Sequence, residues 1–421
     1  MPTRREWLAY AAGFGSAGTI TAYDIATSYS LSGALRLGLR RWQRRPPTAP
    51  MPDDPAGVPT FRGGIRRRGY LPSGTVPSSV VLDWKRPGLN KWTHTAAKGS
   101  PVVSSDGTIL IGGDTGVLWA FDLDGSIKWT AVTHPSENGI HGTPVVVDGR
   151  VYVGAYDGAM YAFGLDDGRE LWRTRIGESI GASPLYYNDR LYIAVETTWP
   201  SGILAALDPA TGEVVFEDPG IGDHPHSSPA IAPDHDRLVV GANDGVLYGW
   251  TLSSETRAWT FETGGAIKGP IAIDGDAAVF GSWDGRVYAV DLASGEQRWS
   301  FPTDGKVMSG PAIHPDSGTV YVGSHDTTLY ALAGTDGTER WRASTNGTIT
   351  GCPTICDGTV LIGSYDGHLY AFEADSGDLR WRFAANGHVT ATPTVVGNRI
   401  LIADRATREQ TGAVYALGPT A

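Results

Sequence analysis

Residues 281–299 read Gly281-Ser-Trp-Asp-Gly-Arg-Val-Tyr-Ala-Val-Asp-Leu-Ala-Ser-Gly-Glu-Gln-Arg-Trp299, and the 421-residue chain repeats this phrase along most of its length. Close copies start at Gly154, Gly241, Gly323 and Gly363, a shorter copy starts at Gly112, and a degraded copy surrounds Ala206 to Phe216. A small residue followed by proline marks the other end of each unit, and these eight prolines are 40 to 45 residues apart: Pro101, Pro144, Pro184, Pro229, Pro270, Pro311, Pro353 and Pro393. Repeats of this length built from short strands indicate a propeller or a solenoid rather than several independent domains.

Each unit divides into four strands. In the second unit, apolar residues after Pro144 lead to an Asp-Gly turn, and the β-branched run 150–154 follows. A third strand covers 159–163, and a fourth begins near Trp172 after the turn at Asp167-Gly168. Runs this short, separated by Gly and Asp turns, exclude a helical repeat. Four short antiparallel strands per unit are typical of a propeller blade.

The eighth unit indicates how the ring closes. It stops after three strands, at Gly412–Leu417, so its outer strand must come from before Pro101. The best candidate is Ser79–Trp84, and Lys91–Trp92 is the second. We therefore predict an all-β, eight-bladed β-propeller of four-stranded antiparallel blades over residues 79–421, closed by an N-terminal strand that completes the last blade.

The spacing Ala-x-Asp-x-x-(Ser/Thr)-Gly-x-x-x-Trp resembles the tryptophan-docking motif of quinoprotein-type (PQQ-like) β-propellers. Ala289, Asp291, Ser294, Gly295 and Trp299 meet it, and looser copies end at other tryptophans. The family includes PQQ-dependent alcohol dehydrogenases and BamB-type outer-membrane assembly lipoproteins. The resemblance implies that these tryptophans have a structural role and pack between neighbouring blades: Trp172, Trp259, Trp299, Trp341 and Trp381.

Three features that the resemblance would require of a PQQ dehydrogenase are missing. Those enzymes have a disulfide between adjacent cysteines, whereas Cys352 and Cys356 are separated by three residues. Their calcium and catalytic ligands come from long insertions, and the only longer inserts here are 196–201 and 405–411. They are also usually longer chains. We therefore expect a non-enzymatic propeller, nearer to the BamB type, with no catalytic residues and no cofactor. The alternative is a PQQ-dependent oxidoreductase that uses PQQ with calcium.

Charge is divided unevenly along the chain. Residues 1–77 contain eleven Arg and four acidic residues, about +7, while the rest contains 34 − 11 = 23 basic and 45 − 4 = 41 acidic residues, about −18. An acidic body argues against nucleic acid as a partner. The six Lys against 28 Arg, with Asp exceeding Glu, resemble the composition of proteins from salt-adapted organisms.

The N-terminus predicts export. Thr3-Arg-Arg-Glu-Trp-Leu8 resembles the twin-arginine signal and precedes a Gly/Ala-rich apolar stretch. We interpret residues 1–30 as a twin-arginine-like signal or membrane anchor and 31–78 as an Arg/Pro/Gly-rich flexible linker. The protein is then extracytoplasmic, either secreted or tethered to the cell surface. Arginines after the apolar stretch leave open a third hypothesis, a membrane-anchored sensor that faces the cytoplasm.

One face of the propeller is the candidate site for a protein or small-molecule ligand. In a propeller, the loop that leads into each inner strand and the turn between the second and third strands lie on the same face. The residues predicted there combine aromatic rings, imidazoles and ammonium groups, which suit ligand binding: Lys98, His141, Tyr156, His226, Lys268, Trp283, His325 and Tyr365. The best candidate for a metal site is the segment Asp223–His226 together with His141. Because His141 lies two blades away from that segment, we expect no metal site.

Overall fold

The computed structural model describes residues 59–91, 99–134, 136 and 138–420. It contains eight four-stranded antiparallel sheets, each ordered from the channel outward, which confirms the predicted propeller. Two short 3₁₀ turns, Phe61–Gly63 and Pro233–His235, are the only helical elements in the described residues. The predicted signal at 1–30 lies outside the described residues.

Blades 1 to 4 use consecutive strands. They are β2 (Val102–Val103), β3 (Ile109–Gly112), β4 (Val117–Phe121) and β5 (Ile127–Val132); β6 (Val145–Val147), β7 (Arg150–Gly154), β8 (Ala159–Gly164) and β9 (Glu170–Arg175); β10 (Leu185–Tyr187), β11 (Arg190–Glu196), β12 (Gly202–Leu207) and β13 (Val214–Ile221); and β14 (Ala230–Ala232), β15 (Arg237–Gly241), β16 (Val246–Thr251) and β17 (Thr256–Glu262).

Blades 5 to 7 follow the same order, and blade 8 joins both ends of the ring. Their strands are β18 (Ala272–Asp274), β19 (Ala277–Ser282), β20 (Arg286–Asp291) and β21 (Gln297–Pro302); β22 (Ala312–Ile313), β23 (Thr319–Gly323), β24 (Thr328–Ala333) and β25 (Glu339–Ser344); β26 (Thr354–Cys356), β27 (Thr359–Gly363), β28 (His368–Glu373) and β29 (Leu379–Ala384); and β30 (Thr394–Val396), β31 (Arg399–Ala403), β32 (Gly412–Pro419) and β1 (Val80–Asn90).

Strand β1 closes the ring as the outer strand of blade 8. It pairs antiparallel with β32, with Val80 opposite Pro419 and Trp84 opposite Ala416. Trp84 is therefore the tryptophan of the closing strand, and Trp92 lies outside the described residues. The Trp84 indole donates to the carbonyl of Leu123 in blade 1 at 2.9 Å, which ties the last blade to the first.

The docking tryptophans all make the same joint. Each lies on an outer strand, and its indole N–H donates to a carbonyl of the next segment around the ring, as Trp299 does to Gly334 at 2.8 Å. Gly337 in the same turn has φ +74°, and a Cβ there would lie 2.6 Å from the Trp299 ring. The glycine of the motif is thus required by both the turn and the indole. The other indole-to-carbonyl pairs are Trp129–Leu165, Trp172–Pro209, Trp259–Leu292, Trp341–Ala374 and Trp381–Pro77.

The small residue before most of these prolines has a hydrogen-bonding role around the channel. At five of the eight positions its side chain accepts the amide N–H of the equivalent residue in the previous blade, as Ser183 does for Thr143 at 2.9 Å and Ser100 does for Thr392 at 3.0 Å. In blade 7 the acceptor is the Cys352 thiol, which lies 3.2 Å from the Gly310 nitrogen. Cys352 and Cys356 are both buried and free, so Cys352 takes the place of a hydroxyl in this ring.

The prediction of a flexible linker over 31–78 is wrong for the part that the structure describes. Residues 59–76, which we call the plug, lie along the inner strands at one end of the channel. Ile65, Arg66 and Arg68 accept backbone hydrogen bonds from inner-strand residues of blades 4, 5 and 6. Arg66 also pairs with Asp234, in the turn after the inner strand of blade 4. The plug therefore closes the end of the channel that these turns surround.

Two arginines bind the plug to the blades through main-chain oxygens. Arg67 is fully buried and donates to the carbonyls of Pro184 and Pro229 at 2.9 and 3.1 Å. Arg62 donates to the carbonyls of Gly310 and Pro311. Burial, together with the nearby Arg62 charge, lowers the pKa of Arg67 to about 9. Carbonyl dipoles, rather than carboxylates, solvate these two buried cations.

Candidate functional site

The open end of the channel, which we call the mouth, consists of the loops that lead into the inner strands and the facing turns between second and third strands. Backbone hydrogen bonds join the two sets, since the amide of Trp283 donates to Ala266 and that of Tyr365 donates to Thr348. A recurrent carboxylate supports the facing turns, as Asp244 does by accepting the Tyr248 hydroxyl at 2.5 Å and the Gly222 amide at 3.1 Å. Burial and this carboxylate raise the pKa of Tyr248 to about 12.

The lead-in residues predicted from the sequence converge on one funnel. His141, His226 and Lys268 line it together with Met308, Thr350 and Thr390. Phe61 of the plug also lines the funnel, so the mouth has a closed floor. Lys98, which is also predicted to line the mouth, lies outside the described residues.

One side of the mouth holds a polar cluster around a buried carboxylate. Glu196 is only 4% exposed, and its oxygens lie 3.3 Å from His224 Nδ1 and 3.2 Å from His226 Nδ1. Ser179 donates its hydroxyl to the same carboxylate. The His141 and Tyr156 rings are 4.3 Å apart, and burial with the nearby Glu196 charge raises the pKa of Tyr156. The described residues contain no group of His, Cys, Asp and Glu side chains arranged to hold a metal ion.

A cationic and aromatic cluster lies next to it, on blade 5. The ammonium groups of Lys268 and Lys306 are each 4.2 Å from the centre of the Trp283 indole ring. Such contacts stabilise an ammonium group over an aromatic face. Lys268 is half-buried and Lys306 is exposed.

A third cluster lies across the mouth, on blades 7 and 8. The Tyr365 ring stacks on His388 at 4.6 Å, and Arg405 donates to the Tyr365 hydroxyl at 2.6 Å. Arg405 stands at the start of the longer insert 405–411. His325 lies between the second and third clusters, and its amide donates to the carbonyl of Lys306.

Both longer inserts are therefore on the mouth. The insert after Glu196 carries Trp199, whose side chain is 72% exposed although it is a large indole. Tryptophan is among the residues that most often anchor an interface, so Trp199 is a candidate anchor for a partner that covers the mouth.

Buried polar atoms without a hydrogen-bond partner in the described residues also concentrate at the mouth. Most of them belong to lead-in loops and facing turns: Thr115 Oγ1, His224 Nε2, Ser227 Oγ, Asn243 Oδ1, Trp283 Nε1 and Ser309 Oγ. Buried polar groups are normally paired, and among the described residues the unpaired atoms gather at the mouth, apart from Trp119 Nε1 on β4. The unpaired atoms at the mouth are available to a polar ligand or to water.

The structure places His141, Tyr156, His226, Lys268 and Trp283, all predicted from the sequence, on one side of the mouth, and Tyr365 across from them. Sequence reasoning missed Glu196, Lys306, Arg405, His388, Trp199 and Phe61. The two inserts were a usable signal, because Glu196, Trp199 and Arg405 belong to them. The sequence prediction took the residue three positions before each proline, which is Met308 in blade 6, and Lys306 lies two residues earlier. Nothing in the composition of 59–76 indicated that Phe61 reaches the funnel.

Comparison with known proteins gives one family over nearly the whole ring. The model of the family described as "Outer membrane protein assembly factor BamB" matches residues 72–301 and 283–420. An outer membrane protein assembly factor BamB of Moranella endobia (strain PCIT) is 33% identical over 131 residues, which are 28% of this chain and 33% of that protein. The match thus spans about a third of the curated relative.

Solved structures of two kinds share the fold. A quinohemoprotein alcohol dehydrogenase from Comamonas testosteroni superposes with a TM-score of 0.73 at 15% identity, covering 87% of this chain and 81% of the other. BamB from Moraxella catarrhalis superposes with a TM-score of 0.62 at 18% identity, covering 81% and 98%. At these identities the likeness concerns the fold alone.

Proposed function

Because this chain belongs to the family of the outer membrane protein assembly factor BamB, we propose that it is a non-enzymatic, exported propeller that binds a segment of a protein partner at its mouth. The observation that carries the proposal is the unequal use of the two ends of the channel. The plug fills one end, while the other presents both longer inserts, an exposed Trp199 and the three clusters described above.

The aromatic groups at the mouth support binding more than catalysis. Trp199, Trp283 and Tyr365 lie around a floor that Phe61 closes, and cationic side chains flank two of them. Aromatic anchors surrounded by polar groups carry most of the free energy in protein interfaces.

The alternative, a PQQ-dependent oxidoreductase, rests on the likeness to quinohemoprotein dehydrogenases. The residues present do not fit that cofactor. The cavity at the centre of the mouth is about 30 Å³, which is room for water but not for a planar tricyclic quinone. Phe61 and Arg62 of the plug fill the axis beneath it. Adding PQQ with calcium is expected to give neither a bound-quinone absorbance nor dye reduction, and either signal would restore the enzymatic alternative.

Export is proposed from the sequence of residues 3–8, which the structure does not describe. The described part of the chain contains no helix with the length and hydrophobicity of a transmembrane span. Replacing Arg4 and Arg5 with Lys is expected to leave the full-length precursor in the cytoplasm, because paired guanidinium groups are what a twin-arginine receptor reads. Fractionation of the cells checks this. Unchanged export of the double-Lys protein would contradict the proposed route.

The binding proposal is tested by truncating the anchors one at a time. Trp199→Ala, Trp283→Ala and Tyr365→Ala are each expected to weaken recovery of the partner, by about 2 kcal/mol for a true anchor. The melting temperature should stay nearly unchanged, since these side chains are half-buried or exposed. Affinity isolation from the cells that make the protein, followed by quantitative mass spectrometry, measures the recovery.

Two matched variants serve as controls. Leu379→Ala removes another exposed apolar side chain, on an outer strand, and Asp148→Ala changes a turn at the closed end. Both should leave recovery of the partner intact. Loss of the partner from the control variants alone would move the site away from the mouth.

A further inference from the structure

The Lys268–Trp283–Lys306 cluster has an electrostatic property that the other clusters lack. Two ammonium groups share one indole ring, each 4.2 Å from its centre. These are two of only six lysines in a chain that has 28 arginines. Their convergence on one side chain therefore does not follow from composition.

Neither ammonium group has an ion-pair partner in the part of the chain that the structure describes. The remaining charges that act on Lys268 are Asp223 and Glu196, which favour its charged form, and Lys306, which opposes it. Glu196 is already engaged by His224 and His226. The two lysines thus repel each other, and no described carboxylate bridges them. A negative group placed between them would relieve this repulsion.

The setting also favours an anion. The protein has a formal net charge of −11, yet Lys268 and Lys306 converge on one cluster of the mouth and Arg405 lies on another. On this acidic body, two ammonium groups without an ion pair among the described residues attract a carboxylate locally, and Asp223 and Glu196 act only on the Lys268 side of the pair.

We propose that the pair Lys268 and Lys306, over Trp283, is a carboxylate subsite that binds an acidic peptide segment of the partner. A Glu or Asp side chain would pair with these ammonium groups, and its alkyl part would contact the indole. The proposal rests on the proposed function, since it names the chemistry of the segment that the mouth takes. A peptide is favoured over a free anion because Trp199 on the rim and Tyr365 across the mouth offer apolar contact surface beyond the charge.

Calorimetric titration of the full chain with hexaglutamate tests the subsite, and hexaglutamine is the uncharged control. Hexaglutamate should bind at low salt and hexaglutamine should not. Lys268→Gln with Lys306→Gln is expected to weaken hexaglutamate binding about tenfold or more. Lys268→Arg with Lys306→Arg keeps both charges and should retain most of the affinity, which guards against a variant that merely folds badly.

The matched control is Lys85→Gln with Lys128→Gln, which makes the same change in net charge on outer strands of blades 8 and 1. It should change the affinity less than about twofold, as expected for distant screened charges. The proposal is overturned if hexaglutamate does not bind, or if the Lys85/Lys128 double variant loses as much affinity as the Lys268/Lys306→Gln variant. It is also overturned if sulfate displaces the peptide much better than chloride at equal ionic strength, because the site would then bind any multivalent anion. If it is overturned while Trp199→Ala and Tyr365→Ala still lose the partner, the binding function stands with a ligand of different chemistry.

Discussion

A variant lacking residues 1–90 is expected to lose more than about 5 kcal/mol of its free energy of unfolding, or to lose its cooperative transition altogether. The deletion removes β1, so the edge of β32 becomes exposed along the register from Val80–Pro419 to Asn90–Gly412. It also removes Trp84, whose indole joins blade 8 to blade 1 through Leu123. A ring opened at this joint exposes an unpaired sheet edge as well as apolar surface.

Two shorter deletions separate closure from the plug. Removing residues 1–58 keeps both and gives the reference midpoint. Removing residues 1–78 keeps β1 but takes away Arg62 and Arg67, which leaves the carbonyls of Pro184, Pro229 and Gly310 without these donors. Unpaired buried carbonyls cost about 1–3 kcal/mol each, so this protein should have intermediate stability. Chemical denaturation followed by circular dichroism gives the denaturant midpoints of the three deletion variants, which lack residues 1–58, 1–78 and 1–90. Equal midpoints for all of them would mean that neither β1 nor the plug holds the ring together.

Trp299→Ala is expected to lower the free energy of unfolding by about 3–5 kcal/mol, the usual cost of truncating a buried large aromatic side chain. Trp299 is 6% exposed, its ring lies against Gly337, and its N–H donates to Gly334. Trp299→Phe should cost less, because it keeps an aromatic ring and loses only the hydrogen bond and part of the contact area.

Trp199→Ala is the matched control for Trp299→Ala, since it removes the same side chain from a position that is 72% exposed. Urea titrations of the three variants give the comparison. A loss at Trp299 no larger than the loss at Trp199 would contradict the docking role of the repeated tryptophan.

The repeat made most of the fold predictable. Positions such as Trp299, Gly295 and Pro270 recur because each makes the same joint in every blade, so periodicity alone reveals them. A ring of eight with one strand missing also predicted a closing strand from before Pro101, but the sequence left Trp84 and Trp92 as alternatives, and the pairing of β1 with β32 identifies Trp84. Each blade makes the same contacts with its neighbours, so the repeated sequence pattern is enough to predict the fold of the ring.

The plug could not be predicted for the opposite reason. Arg62 and Arg67 bind main-chain carbonyls. Every residue has such a carbonyl, so the sequence does not show which ones an arginine will bind. Arginine and glycine next to proline are also what a flexible linker contains, so composition pointed the wrong way. Lys306 and Glu196 were missed because a binding face is built from the positions where the repeats differ. A residue that recurs in every repeat is supported by its other copies, whereas a residue found in one repeat has no such support.

Site-specific photo-cross-linking in the cells that make the protein tests most directly whether the mouth is the binding surface. A photoreactive amino acid is placed at position 199 on the mouth, at 148 at the closed end, and at 379 on an outer strand. We predict a discrete protein adduct from position 199 and none from 148 or 379. Adducts from position 148 or 379 without one from 199 would contradict the account, because the partner would then bind the blades or the closed end rather than the mouth.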